Sequence, residues 1–297
     1  MVDRTRNAIT RQLAAMGCDQ YEVGIYHRAD DKMIPRFFTY DQILKSIPWL
    51  RSKNISGCDI YVRPAGAKGL LFFDDFSQGM VKRLKEDGYH PALIVESSPQ
   101  NFHGWIRVAA GDMEQDLATA ACKYIAGIYG GDMNSADWRH YGRLCGFTNR
   151  KPAYVNGRGH SPFVLLTESK GVICERADEI LNKGKIELVK KKARAIERRQ
   201  MLDDIKVTDQ EQSADECFIK ILNSFKQHYG HALNTSNADW AIVNKMIELG
   251  YVESAIRSAL LTHSEAVQKR PGREDQYINI TLHNAYGRSL QRKTETP

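Results

Sequence analysis

The sequence lacks any apolar run approaching the roughly 20 residues needed to cross a bilayer. Its first residues, Met1-Val2-Asp3-Arg4-Thr5-Arg6, are polar and carry no apolar stretch of the kind a secretory signal requires. Both absences point to a cytoplasmic chain with no membrane partner. Cysteine is scarce and scattered: Cys18, Cys58, Cys122, Cys145, Cys174 and Cys217 include no Cys-x-x-Cys pair. That argues against a disulfide framework or a compact zinc site and leaves isolated, mostly semi-buried thiols. The pattern Gly-x-x-x-x-Gly-Lys-Ser/Thr does not occur, so the chain is not a P-loop ATPase. Internal repeats and low-complexity tracts are missing as well.

What is present suits a soluble protein of two domains: 297 residues, 42% hydrophobic and 26% charged. A net charge of +6 permits nucleic-acid binding without requiring it. Ile9, Leu13 and Met16 recur at helical spacing between Asp3 and Gly17. Tyr21–His27 alternates as a strand, with Met33–Phe38 as its hairpin partner. Thr39 can cap a helix running from Tyr40 towards Leu50, which Pro48 ends or kinks. Cys58–Val62 reads as a strand, Ser77–Asp87 as a short helix closed by Gly88, and Pro91–Glu96 and His103–Val108 as two more strands. Asp112–Tyr129 is amphipathic, with Leu117, Ala121, Tyr124, Ile125 and Ile128 on one face, and Phe163–Leu166 reads as a last strand. Glu175–Leu202 is helix-forming and basic, either a solvated connecting helix or a surface that tracks phosphates. Lys206–Glu216 reads as a linker, and helices follow near Glu216–Tyr229, Ala238–Leu249, Val252–His263 and Glu274–Tyr286.

Chemistry gathers around Leu70-Leu71-Phe72-Phe73-Asp74-Asp75-Phe76, an apolar run that ends in two carboxylates. Burying a carboxylate is costly without a cation or several donors, so the pair is either a solvated turn or a set of metal ligands. Downstream come Asn101 and His103 at the head of a strand. A Gly130-Gly131-Asp132 turn follows, and then Arg139–Lys151, dense in donors suited to phosphate oxygens. Each alone has a bland reading as turn, core or solvated loop. Together, carboxylates for a metal, a histidine and a cluster of Arg, Lys and Asn make a coherent phosphoryl-transfer kit.

The succession Leu71-Phe72-Phe73-Asp74-Asp75, then Glu96-Ser97-Ser98-Pro99-Gln100-Asn101-Phe102-His103-Gly104-Trp105, then Asp132 and Arg143-Leu144-Cys145-Gly146-Phe147-Thr148-Asn149-Arg150-Lys151, resembles the archaeo-eukaryotic primase superfamily, and within it the RepB-type plasmid replication primases. Ala8-Ile9-x-Arg11-Gln12-Leu13-x-Ala15-Met16-Gly17-Cys18 and Arg270-Pro271-Gly272-Arg273-Glu274-x-x-Tyr277-Ile278 extend the likeness over nearly the whole chain. The resemblance implies that Asp74, Asp75 and Asp132 form a catalytic triad holding two Mg²⁺ or Mn²⁺ ions. It also implies that His103 and Asn101 meet the nucleotide, and that Arg143, Asn149, Arg150 and Lys151 contact phosphates. Asp137 is a rival third acid, ranked as a turn residue or as one standing behind the metal ligands. The wider superfamily spaces its acids as Asp-x-Asp/Glu, whereas here they are adjacent. On a regular strand they would face opposite ways, so both can serve one site only if the strand ends or bulges at Asp74.

The expected fold is α+β: a primase-polymerase-like catalytic domain (residues 1–172) with a mixed or antiparallel sheet flanked by helices. A basic connecting helix (173–205) and an all-α bundle (206–297) follow. The expected activity is primer synthesis on a single-stranded DNA template from nucleoside triphosphates, with a replicative helicase or an associated relaxase as protein partners. Arg139, Tyr141, Lys190, Lys191 and Arg194 are candidate DNA contacts. Trp138 and Tyr141 could stack on bases, whereas Trp240, at helical spacing with Val243 and Ile247, reads as core. Two other classes stay open. A relaxase-like nuclease would want a His-x-His motif, which is missing, and a non-catalytic initiator would need only the basic surfaces.

Overall fold

The computed structural model describes residues 3–204 and 213–295. The first helix, α1 (Arg4–Met16), starts where the Asp3 side chain accepts the Arg6 N–H. It ends at Gly17, whose left-handed φ of 49° lets its N–H reach the Leu13 carbonyl. Strands β1 (Gln20–His27) and β2 (Lys32–Thr39) form the expected hairpin. Thr39 caps α2 (Tyr40–Ile55) in a capping box with Gln42.

Helix α2 runs past Leu50, despite Pro48. A proline removes the hydrogen bond to the carbonyl four residues earlier, here that of Leu44. The Arg6 guanidinium donates to that carbonyl at 3.4 Å, so the break is filled from α1.

Next come β3 (Asp59–Pro64), β4 (Leu70–Phe76), α3 (Gln78–Glu86), β5 (Leu93–Ser98), β6 (Asn101–Arg107) and α4 (Gln115–Tyr129). The short β7 (Gly142–Arg143), β8 (Leu165–Ser169) and the long α5 (Ala177–Asp204) complete this part. The strands build two four-stranded sheets, in the orders β2-β1-β3-β7 and β4-β6-β5-β8, and every pairing within them is antiparallel. Where the sequence suggests one sheet, two are found, because the apolar strands need cover on both faces.

The second sheet shows this directly. Leu70 and Phe72 of β4 enter a core shared with α1, α2 and the first sheet, among them Ile9, Leu13, Ile43 and Val62. Leu71 and Phe73 enter a different core, built with Val81 and Leu84 of α3 and Ala121 and Ile125 of α4. Alternation with both faces buried is why β4 reads as an unbroken apolar run rather than a half-polar one.

The chain divides into two compact units, residues 1–192 and 193–297, the division falling within α5. The second unit is all-helical: α6 (Ala214–Tyr229), α7 (Thr235–Glu248), α8 (Glu253–His263), the one-turn α9 (Glu265–Gln268) and α10 (Glu274–Glu295). Phe218, Ile221, Phe225, Ile242, Met246, Leu260 and Ile278 form its own core. Trp240 is half-buried at its margin. The expected linker Lys206–Glu216 lies mostly outside the described residues, and Ser213 already caps α6 through Glu216. All six cysteines are free thiols, five of them buried. Among the described residues no helix is long and apolar enough to cross a membrane.

The Arg270–Ile278 segment has a structural explanation in this unit. Asp239, 1% exposed, accepts the Tyr277 hydroxyl at 2.9 Å and the Ser264 hydroxyl, while the Arg270 guanidinium lies 4.4 Å from the Tyr277 ring centroid. The motif thereby pins the start of α10 to α7 and to the α8–α9 corner.

Candidate active site

The acidic pair lies at an irregularity in β4. Phe73 pairs with Gly104 and Phe76 with Phe102, so three steps along β4 match two along β6. One residue is surplus, and Asp75 takes it up with φ of 62°, in the left-handed region where few side chains other than Asn and Asp settle. The parity of the strand changes there. Phe76 returns to the same core as Phe73, with ring centroids 4.6 Å apart. Asp74 and Asp75 are left to line one cleft. The bulge that adjacent acids require is present.

The third acid is brought in by the turn after α4. Gly130 ends that helix with φ of 72°, and the Asp132 N–H donates to the Asp74 carbonyl at 3.2 Å. Gly131 is needed for this approach, since a Cβ there would press on the Phe76 ring and stand 3.1 Å from the Asp74 carbonyl oxygen. The Asp132 carboxylate is oriented by its own loop, accepting from Asn134 N at 2.8 Å and Ser135 Oγ at 3.0 Å. Asp137 binds the Arg139 N–H at 2.7 Å and lines neighbouring grooves instead of this cleft.

The cleft, of about 510 Å³, holds the three acids with Asn101, His103, Tyr141, Arg143, Asn149 and Lys151, all singled out from the sequence. Asn101 Nδ2 donates to Asp75 Oδ1 at 2.7 Å. His103 is 2% exposed, and its Nε2 accepts the Arg143 N–H at 3.1 Å. Burial first, then the Arg143 charge, drive its pKa down to about 3. The ring is therefore neutral at physiological pH and offers the cleft an Nδ1–H donor, not a positive charge. Gly142 makes the approach possible: a Cβ there would meet the Trp105 ring and stand 2.8 Å from His103 Nε2. Asn149 is 1% exposed and donates to the Ser97 carbonyl at 2.7 Å, tying the basic segment to the β5–β6 hairpin. Lys151 is exposed at the rim, its Nζ 5.4 Å from the Tyr154 ring centroid.

Other sequence candidates lie elsewhere. The Arg150 Nε donates to the Asn54 carbonyl at 2.7 Å, so this side chain anchors the segment to the end of α2 and does not line the cleft. Arg139 is exposed, in the grooves beside it. Lys190, Lys191 and Arg194 are exposed on α5; Lys190 pairs with Glu187 at 2.8 Å and Lys191 approaches Asp116 at 4.0 Å.

Several supporting residues were not singled out from the sequence. Gln12, fully buried, donates to the Arg143 carbonyl at 3.1 Å and accepts the Cys145 N–H at 2.7 Å, so α1 fixes the basic segment in place. Glu22 accepts from the Tyr141 hydroxyl and from Arg63 Nε at 2.9 Å, holding the tyrosine at the cleft wall. Arg28 and Tyr61 complete the lining. Gln12 lies in the N-terminal stretch already quoted as a likeness. Glu22 and Arg28 carry no local signal.

Electrostatically the cleft carries charge of both signs. Asp74 is pushed above the usual carboxylate range, first by burial and further by Asp75 and Asp132, against the Asp75 N–H and His140, which lower it. Such a carboxylate gains from a cation. The donor set is hard oxygen throughout, as Mg²⁺ or Mn²⁺ requires, and Asn101 Oδ1 is buried with no hydrogen-bond partner. Among the described residues no group of three or more Asp, Glu, His or Cys side chains is arranged to hold a metal ion, so the acids match a divalent ion in kind and charge and not in arrangement. Arg28, Arg143 and Lys151 line the same cleft and bring positive charge to it.

Comparison with known proteins gives the same direction. Residues 8–195 match the RepB DNA-primase N-terminal domain, and residues 233–285 match the RepB DNA-primase C-terminal helical domain. Mobilization protein A of Escherichia coli is 33% identical over 96% of this chain, which spans only 41% of that protein's length. The crystal structure of primase RepB′ superposes with a TM-score of 0.62 at 30% identity, covering 99% of this chain and 100% of that one. The catalytic domain of the same primase, in complex with initiator DNA, gives a TM-score of 0.59 at 36% identity, over 64% and 98% of the two chains.

Proposed function

Because the chain belongs to the RepB DNA-primase family, we propose that it starts primers on single-stranded DNA during replication of a plasmid or mobile element. The substrates are nucleoside triphosphates and the reaction is nucleotidyl transfer. The observation that carries this reading is the bulge in β4, with two adjacent carboxylates lining one cleft together with Asp132, Arg143 and Lys151.

Asp74, Asp75 and Asp132 are the residues that would hold Mg²⁺ or Mn²⁺, two ions in this reading, which would acidify the attacking 3′-hydroxyl and stabilise the pyrophosphate that leaves. Asn101 keeps Asp75 in position. Arg143 and Lys151 neutralise the triphosphate, and the His103 Nδ1–H donates to it without adding charge. Asn149 holds the hairpin against the basic segment, and Arg150 fixes that segment to α2. Arg139 beside the cleft, Tyr141 in its wall, and Lys190, Lys191 and Arg194 on α5 contact the template. The terminal bundle recognises it, as one side of a division between chemistry in residues 1–172 and recognition beyond residue 205. A relaxase activity in the same product or an associated one is the partner suggested by the likeness to a mobilization protein more than twice as long.

The test incubates the full chain with labelled nucleoside triphosphates, Mg²⁺ and single-stranded DNA. Short products that Asp74→Ala and Asp132→Ala both abolish, in folded protein, are expected. Full synthesis by either variant sinks the triad, and no product from the unaltered chain leaves a non-catalytic initiator.

A further inference from the structure

The cleft wall contains a charge arrangement with no counterpart in the sequence likeness. Asp59, the first residue of β3, is fully buried. Its Oδ1 accepts from Arg143 Nη1 and from the Arg150 N–H, the latter at 2.7 Å. Its Oδ2 forms an ion pair with Arg28 Nη2 that lacks hydrogen-bond alignment. One negative charge therefore holds two guanidinium groups and leaves a surplus of one positive charge at the wall. Each guanidinium also lies over a tyrosine ring: Arg28 at 5.3 Å from the Tyr26 centroid and Arg143 at 4.9 Å from that of Tyr61. Tyr26 and Tyr61, on neighbouring strands β1 and β3, line the cleft with both arginines.

Such fixing is more than an ion pair needs. A carboxylate that holds one arginine has little use for a second, and burying charge without full pairing is costly. Arg28 Nε is in addition buried with no hydrogen-bond partner. An unmet buried donor in a side chain that lines a cleft calls for an acceptor supplied from outside the chain. Two planar forks held in place, with donors still unused, are suited to tetrahedral anions carrying several oxygens.

We propose that Arg28 joins Arg143 in a two-arginine clamp for the triphosphate of the incoming nucleotide, with Asp59 as the positioning residue for both. The proposal rests on the nucleotidyl-transfer reading and adds to it a binding residue from outside the family's motifs. Arg28 lies in the turn after β1, more than a hundred residues from the basic segment, and the register of β1 on β3 brings it there: Tyr26 pairs with Asp59. The nucleotide is chosen over the template backbone because the clamp shares one cleft with Asp74, Asp75 and Asp132, where the reacting phosphates must lie.

The experiment measures binding of inorganic tripolyphosphate and of single-stranded DNA to the full chain, together with steady-state primer synthesis. It compares the unaltered protein with Arg28→Met and Arg28→Lys. Arg28→Met is expected to weaken tripolyphosphate binding and raise the nucleotide KM by about tenfold, with kcat and DNA affinity little changed, as for loss of one charged hydrogen-bonding group. Arg28→Lys, which keeps the charge without the fork, should fall between, and it carries the test alone if Arg28→Met does not fold. Unchanged tripolyphosphate affinity in a folded variant overturns the proposal, and so does a loss confined to DNA binding, which would assign Arg28 to the template. Tripolyphosphate binding that depends on Arg28, in a chain that makes no primer, would leave the clamp standing and remove the primase reading instead.

Discussion

Asn101 Nδ2 lies 2.7 Å from Asp75 Oδ1, so the β5–β6 hairpin holds the acid that the β4 bulge displaces. Asp75 itself is exposed and its carboxylate supports no core contact. Asp75→Asn keeps a side chain that tolerates the left-handed region. It should leave the melting temperature nearly unchanged while lowering primer synthesis by about a hundredfold or more, the scale of losing an electrostatic contact to the reacting centre. Added Mn²⁺ should raise the melting temperature of the unaltered chain and raise it less in the variant. Thermal scans with and without Mn²⁺, run beside the primer assay, read both effects.

Asp59 gives the opposite balance of effects. Removing one member of a buried ion cluster leaves uncompensated charge and costs roughly 3–5 kcal/mol. Asp59→Asn should therefore lower the urea midpoint of the first unit while the helical bundle, which has its own core, unfolds where it did before. Separate fluorescence and helix-signal transitions would show this; a single unshifted transition would contradict it.

Stability should fall in acid in part through His103. Its folded pKa is depressed to about 3 while the unfolded ring titrates near 6.5. Between those values the unfolded chain takes up a proton that the native ring refuses. Stability is thus fully present above pH 6.5 and is lost as the pH falls towards 3, at up to roughly 1.4 kcal/mol per pH unit. His103→Gln retains an acceptor for the Arg143 N–H without the titration. The slope of stability against pH between 6 and 4 should be shallower in that variant. Equal slopes would mean that the ring is charged in the folded protein.

In the bundle, Tyr277→Phe deletes the hydroxyl that Asp239 accepts at 2.9 Å. Asp239 is already raised above the usual carboxylate range by burial, with the Ser264 and Tyr277 hydroxyls lowering it. Loss of one such bond should cost about 1–2 kcal/mol of bundle stability and leave nucleotide binding untouched. Denaturant unfolding followed by a probe in the bundle measures it.

Most of the helices and strands were legible because their patterns are local. The alternation of β1, the Thr39 cap and the helical spacing in α1 all show in windows of a few residues. The division into two sheets was not legible. Leu70–Phe73 announces burial, yet nothing in the run says that its two faces meet different cores. The acids, His103, Asn149 and Lys151 could be found from motif order, and a break or bulge could be required at Asp74, next to the Asp75 that takes up the surplus residue. Arg28, Asp59 and Glu22 escaped because their significance is a matter of strand register. Arg150 looks like a phosphate ligand from its neighbours in sequence, while its Nε donates to the Asn54 carbonyl, a contact made across 96 residues, and its side chain is not among those lining the cleft. Likewise Pro48 announces an end or a kink in α2, and nothing near it in sequence shows that Arg6, on another helix, donates to the carbonyl it leaves unbonded.

The irregularity in β4 also bears on how such a site could be altered. Phe73 and Phe76 occupy one core while three steps of chain are laid against two. A strand reading Phe-Asp-Phe would keep both rings on that same side in unbroken alternation. The second carboxylate is thus, in geometric terms, an inserted residue that neither ring has to move to accommodate. Deleting Asp75 outright should give a chain that closes its ladder and folds with one acid fewer. The core does not enforce the doublet, so its persistence in a lineage would have to be enforced by chemistry.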